Sequence, residues 1–188
     1  MNDIENVMRI RIADIDSHVL CDLFPGCSAC VYWECPEGFR KIAAEEAIRL
    51  KSEWFEAMAT QFNPCGKLLY VDEEPAAYCQ YAPPQYVPGI SGYPKLAHHI
   101  DRDGVMITCL CVSEQYQRKG LGRRLLQEVI EDLKDRGVKS LGTFTRDDSA
   151  DNCSGPTQFY LAQGFTVVVT ESFPKQVLLS LVRLDLGE

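Results

Sequence analysis

The chain has 188 residues and a mass of 21.2 kDa, is 46% hydrophobic, and carries a formal charge of -8 with a pI near 4.9. That length fits one domain with a real core, and the acidic balance excludes a general nucleic-acid binder, which neutralises phosphates with an excess of Lys and Arg. The opening MNDIENVMRIRIADID is charged throughout and holds no apolar run of signal-peptide or membrane-span length, so a cytoplasmic protein with no membrane partner is expected.

Met8 to Ile15 alternates apolar and charged residues at period two, the mark of a half-exposed first strand. The next stretch, with Cys21, Cys27, Cys30 and Cys35 at about 21–35, is dense in Cys, Pro, Gly and aromatics and has no sustained period, which predicts an ordered loop or short turns. From Ala43 to Phe62, the residues Ala44, Ala47, Ile48, Trp54, Phe55, Met58 and Phe62 fall near one helical face, and Asn63-Pro64 stops the pattern. KLLYV, a turn over Asp72-Glu73-Glu74-Pro75, and AAYCQYA then read as a hairpin closing near Tyr81. Residues 83–101 carry four prolines and two glycines, an irregular stretch of the kind that is often a functional loop.

Val105 to Val112 is apolar on both alternations and predicts a central strand covered on both faces. Leu121, Leu125, Leu126, Val129, Ile130 and Leu133 repeat at helical spacing, with Lys134 and Arg136 in the last turn and Gly137 just past it. A short strand at Ser140–Thr145 follows, then Pro156 at the start of a second helix, TQFYLAQ, ended by Gly164. FTVVVT and VLLSLVRLDL supply two last strands.

Between the central strand and the leucine-rich helix lies Gln117-Arg118-Lys119-Gly120-Leu121-Gly122-Arg123, a local reversal of the chain's acidic sign. First-turn helix amides lack intrahelical acceptors, the macrodipole adds about half a positive charge, and glycines keep side chains out of the way of phosphate oxygens. Basic neighbours add charge-assisted contacts. The same residues also fit a loop glycine pair beside a solvated basic face, because such patterns recur by chance. The eight-residue nucleotide loop needs Lys-Ser or Lys-Thr after its last glycine, where this chain has Arg123-Arg124, and the dinucleotide fingerprint needs a third glycine.

Here the sequence resembles the GNAT N-acetyltransferase superfamily. Gln117-x-x-Gly120-x-Gly122 matches the family signature Q/R-x-x-G-x-G/A, preceded by Leu110-x-Val112, and Phe159-Tyr160-Leu161-Ala162-Gln163-Gly164-Phe165 matches the aromatic-Tyr pair before Gly-Phe. The resemblance implies an α/β fold of the α+β type, one domain over 1–188 with a mixed, mostly antiparallel sheet of six or seven strands flanked by helices. It implies acetyl-CoA as acyl donor, with the backbone of Leu110, Cys111 and Val112 along the pantetheine arm. Gln117, Arg118, Lys119, Gly120, Leu121, Gly122 and Arg123 would stand around the pyrophosphate. The family splays its fourth and fifth strands there, which would put the thioester near Leu110, facing Tyr160. Many relatives carry an Asn seven residues before the Tyr; Cys153 stands there in this chain, with Asn152 one residue off.

Tyr160 is the candidate proton donor to the departing thiolate, since a phenol with a pKa of about 10 holds its proton at neutral pH; a packed helix aromatic is the alternative. No base is assigned: Glu73, Glu74, His98, His99 and Asp103 are each as well explained as surface polar residues. Cys109 and Cys111 admit an acyl-enzyme route, but no basic residue is visible on their strand, so direct attack in a ternary complex is preferred. Cys27-x-x-Cys30 with Cys35 has a zinc-like first spacing without a second pair, so no metal site is assigned, and metal, redox and ordinary thiol readings all stay open. The expected reaction is transfer of an acetyl (acyl) group to a primary amine of a small molecule or protein, with a homodimer left open. The alternative is a non-catalytic CoA-binding sensor or interaction module.

Overall fold

The computed structural model describes residues 8–16, 19–148 and 154–187. Asn152 and Cys153 lie outside the described residues. Seven strands form one sheet: β1 (Ile10–Asp14), β2 (Gly66–Val71), β3 (Glu74–Ala82), β4 (Val105–Val112), β5 (Ser140–Thr145), β6 (Thr166–Phe173) and β7 (Val177–Asp185). Their spatial order is β1-β2-β3-β4-β5-β7-β6, antiparallel at every pairing except the parallel β4–β5 contact. Asp72 and Glu73 adopt positive φ in the β2–β3 turn, as a two-residue hairpin requires, so Glu74 already belongs to the strand.

Among the described residues five α-helical segments join them: α1 (Pro25–Ser28), α2 (Ala44–Gln61), α3 (Pro94–Ala97), α4 (Leu121–Asp135) and α5 (Thr157–Leu161). Helix α4 lays Leu121, Leu125, Leu126, Val129 and Leu133 against Leu69, Cys79, Tyr81, Ile107 and Leu110, forming the core on one sheet face. On the other face α2 brings Phe55 and Met58 over Leu68, Tyr70, Tyr78 and Cys109, joined by Trp33 from the Cys-rich segment. The Cys-rich segment consists of short turns around α1 and serves as a cap on this second face.

The inward stripe of α2 differs from the one its apolar residues predict. Ala47, Lys51, Phe55 and Met58 are buried, and Ile48 is 45% exposed. Lys51 occupies the centre of the buried stripe because it is neutralised there. Its Nζ stands 3.0 Å from Glu34 Oε1 and donates to Gln80 Oε1 at 2.9 Å. Gln80 Nε2 donates to Glu34 Oε1 at 2.7 Å, and the Tyr78 hydroxyl donates to Gln80 Oε1. Removing one partner of a buried ion pair strands the other charge, so Lys51→Met is expected to cost about 3–5 kcal/mol in chemical denaturation.

Strand β4 carries an irregularity that shapes the molecule. Gln80 pairs with Cys109 and Tyr81 with Ile107, so Thr108 is an extra residue on β4, a bulge whose hydroxyl donates to the Gln80 carbonyl at 3.3 Å.

Candidate active site

Pairing of β4 with β5 ends at Ile107↔Thr143, next to the bulge, while β4 runs on to Val112. The two strands therefore part, and a cleft of about 730 Å³ opens on the α4 side of the gap. Its walls are Leu110, Cys111 and Val112 of β4, the loop and first turn of α4 from Tyr116 to Arg123, and the α5 region with Gly155, Pro156, Phe159, Ala162 and Gln163.

Gly120 caps α4 at φ 79° and ψ 0°, a left-handed conformation that glycine adopts without penalty. The Arg124 amide is bonded to the Gly120 carbonyl at 3.0 Å, so the amides of Leu121, Gly122 and Arg123 ahead of it lack intrahelical acceptors, and no side chain caps them. Gly122 is needed for close approach. A Cβ there would come within 3.2 Å of Val112 Cγ2, 3.7 Å of Leu110 Cδ2 and 3.8 Å of Phe159 Cε2. A larger residue would fill the floor of the cleft between helix and strand.

Of the residues expected at the cofactor, all but Lys119 line this cleft. Lys119 instead places Nζ 5.3 Å from the centre of the Tyr116 ring. Gln117 reaches back, its Nε2 donating to the Val112 carbonyl at 3.1 Å, which ties the loop before α4 to the end of β4. Sequence reading did not single out Gly155, Pro156, Phe159, Ala162 or Gln163 as the third wall. Among them, Phe159 was legible as the aromatic next to Tyr160.

Helix α5 is stitched to the end of β5. The Thr157 amide donates to Asp147 Oδ1 at 2.7 Å, and the hydroxyls of Thr145 and Thr157 stand 2.8 Å apart. This seats Tyr160 with no solvent exposure one layer behind the cleft wall: a Cβ on Gly155 would lie 3.9 Å from its ring. The ring meets Phe159 and Phe165 edge-on, with centroids 5.0 and 5.1 Å away. Its hydroxyl is buried without a hydrogen-bond partner among the described residues. The Thr143 hydroxyl acts on its ionisation from nearby, yet donates its own proton to the Ile107 carbonyl at 3.0 Å. Burial, reinforced by the Cys79 thiol, pushes the Tyr160 phenol well above its ordinary range, so it holds its proton.

The remaining candidates disperse. Glu73 pairs with Arg11 at 3.2 Å in the β2–β3 turn, and His98, His99 and Asp103 precede β4. None of these lines the cleft. Among the described residues no three His, Cys, Asp or Glu side chains converge as a metal site requires. Cys65, Cys79 and Cys109 are buried as small core residues; burial pushes the Cys65 thiol up to about 12 and that of Cys79 higher still. Cys111 is half-buried at the cleft wall.

A splayed strand pair, an uncapped helix N-terminus and a buried phenol beside the gap thus stand together in one region of the fold. The Acetyltransferase (GNAT) family pattern matches residues 29–165, and the chain belongs to that family. No curated protein sequence matches the chain. Among solved structures it is similar to yncA of Salmonella typhimurium with its cofactor acetyl-CoA (TM-score 0.66, 19% identity, 96% of this chain and 95% of that one). It is also similar to the ribosomal-protein-S18-alanine N-acetyltransferase of Escherichia coli (TM-score 0.58, 16% identity, 96% of each chain). A third is the paia N-acetyltransferase of Thermoplasma acidophilum in complex with coenzyme A (TM-score 0.60, 15% identity, 95% of this chain and 99% of that one). The seven-stranded sheet and single α+β fold are those of these neighbours. Among the described residues no helix is long and apolar enough to cross a membrane.

Proposed function

We propose that this chain transfers an acetyl group from acetyl-CoA to a primary amine by direct attack in a ternary complex. The observation that carries the reading is the convergence, in one cleft, of unpaired α4 amides with the stretch of β4 that β5 has left. The amides of Leu121, Gly122 and Arg123, with Arg118 and Arg123 side chains beside them, form a site for the pyrophosphate. Beyond Ile107 the side of β4 that faces β5 is open to an arm that lies along it like an added strand. A neutral amine attacks the thioester carbonyl, the C–S bond breaks, and Tyr160, held in its protonated form, supplies the proton that the thiolate takes.

The acceptor is a small-molecule or protein amine. The Escherichia coli neighbour is named for a protein acceptor, ribosomal protein S18. A cytoplasmic site of action belongs to the same reading. Calorimetric titration with acetyl-CoA, followed by free-CoA release across a panel of primary amines, tests it; a folded protein that binds no acetyl-CoA would sink it. One observation favours a non-catalytic CoA-binding module: Tyr160 stands behind the cleft wall rather than in it. Substitution at that residue separates the two.

A further inference from the structure

The proline-rich stretch at residues 83–101 takes no part in the cleft. It folds as a run of tight turns, 3-10 turns at Pro84–Tyr86 and Pro88–Gly92 followed by α3. Val87 and Leu96 anchor the run in the core on the face opposite α4. Between the turns lies a hollow of about 360 Å³, lined by Pro84, Gln85, Ile90, Ala97, Ile100 and Arg102. It shares no lining residue with the cleft. Arg102 stands just ahead of β4, which starts at Val105, whereas the cleft begins at Leu110. At about 3.3 Å per residue, that stretch of strand puts roughly 16 Å between the two sites.

Four of the six walls, Pro84, Ile90, Ala97 and Ile100, are apolar and half-buried, and Gln85 and Arg102 are exposed at the rim. The charge on Arg102 sets this hollow apart. Six guanidinium groups of the chain, those of Arg9, Arg11, Arg49, Arg136, Arg146 and Arg183, each face an Asp or Glu. The others are Arg118, Arg123 and Arg124 around the start of α4, Arg40, which stands 5.5 Å from the centre of the Phe39 ring, and Arg102. Asp101, next to Arg102, is engaged elsewhere: it accepts from the Ser140 hydroxyl at 2.7 Å and from the Asp103 amide at 3.1 Å. Among the described residues no carboxylate pairs with Arg102, although the chain carries 27 Asp and Glu against 19 Lys and Arg. A guanidinium left unpaired in so acidic a chain, beside an apolar hollow, is available to an anion from outside.

We infer that this hollow binds a small monocarboxylate with an apolar body. The carboxylate sits in the fork of Arg102 with the Gln85 amide beside it, and the hydrocarbon part rests on Pro84, Ile90, Ala97 and Ile100. One guanidinium balances one negative charge, whereas a dianionic phosphate would stay half-neutralised against apolar walls. The volume is at the small end of the range of about 300–1,000 Å³ for small-molecule sites, which suits a short acyl or single-ring acid. The inference stands apart from the acetyl-transfer reading and does not depend on it.

Hexanoate is the probe. Its titration into the 15N-labelled chain is expected to shift the amide resonances of residues 84–102 with a Kd of roughly 1 mM. Acetate keeps the charge without the body, and hexylamine keeps the body with the opposite charge; each should bind at least tenfold more weakly. Arg102→Gln should lower hexanoate affinity at least tenfold at an unchanged melting temperature, since the side chain is exposed and unpaired. Ala97→Leu fills the hollow from its other wall and should weaken binding several-fold while Arg102 is intact. Equal hexanoate affinity in wild type and Arg102→Gln, shifts confined to the cleft residues, or no shift at tens of millimolar in a folded protein would each overturn the inference.

Discussion

Tyr160→Phe is expected to lower kcat by about 10²–10³-fold while leaving acetyl-CoA affinity unchanged and stability equal or up to ~1 kcal/mol higher. The opposite signs follow from one fact. Among the described residues the buried hydroxyl has no hydrogen-bond partner, so the fold loses little when it goes, whereas a reaction that needs its proton loses the donor. An ordinary packed tyrosine with a satisfied hydroxyl would lose stability on the same change. Unchanged turnover in a variant that still binds acetyl-CoA would move the proton transfer elsewhere and revive the binding-module reading. The pH dependence has a sign too. Burial raises the phenol's pKa in the folded protein, so the unfolded chain alone ionises at a pH of about 10, and the stability tied to protonated Tyr160 is present below that pH and lost as pH rises above it. Tyr78 and Tyr81 are shifted the same way, so Tyr160→Phe should reduce the alkaline loss seen in melting experiments without abolishing it.

Gly120→Glu should weaken acetyl-CoA binding at least 100-fold, about 2.7 kcal/mol, in calorimetric titration. Two effects add. A side chain at φ 79° carries a left-handed penalty of roughly 1–2 kcal/mol, which loosens the turn that aims the α4 amides. The new carboxylate then stands at the helix N-terminus, where it occupies the positive field that a phosphate would use. Space is not the issue, since a Cβ at Gly120 meets nothing within 4 Å. Gly120→Ala isolates the conformational part and is expected to lose several-fold in affinity. Equal affinity in wild type and Gly120→Glu would show that the α4 N-terminus is not where the anion sits.

Much of this was legible before any coordinates. Strand β4 was readable as an unbroken apolar run and helix α4 by its period, and the glycine pair between them marks the turn where backbone amides are exposed. The hairpin, β5 and the two last strands were bounded by turn residues. The buried ion pair on the second sheet face was hidden for a physical reason: the α2 stripe is completed by Lys51, a residue that periodicity scores as solvent-facing until its partners Glu34 and Gln80 are known. Those partners come from a cap without period and from a strand read only as one arm of a hairpin. Ile48 errs in the other direction, apolar yet 45% exposed, because one helix buries a single stripe and Ala47 and Lys51 take it. Tyr160 could be named from its spacing to Gly164-Phe165, but its seat behind Phe159 depends on how Thr157 is tied to Asp147 and Thr145.

The bulge at Thr108 has a wider meaning. An even strand in its place would keep Cys109 and Leu110 on their present faces, yet it would remove the bend that parts β4 from β5, and Phe144 and Thr145 would then meet a partner edge. Excising that one residue should let the sheet zip onward and yield a sturdier protein with no mouth. The fold thus forgoes a few ladder bonds at the centre of its sheet and leaves a strand edge open there.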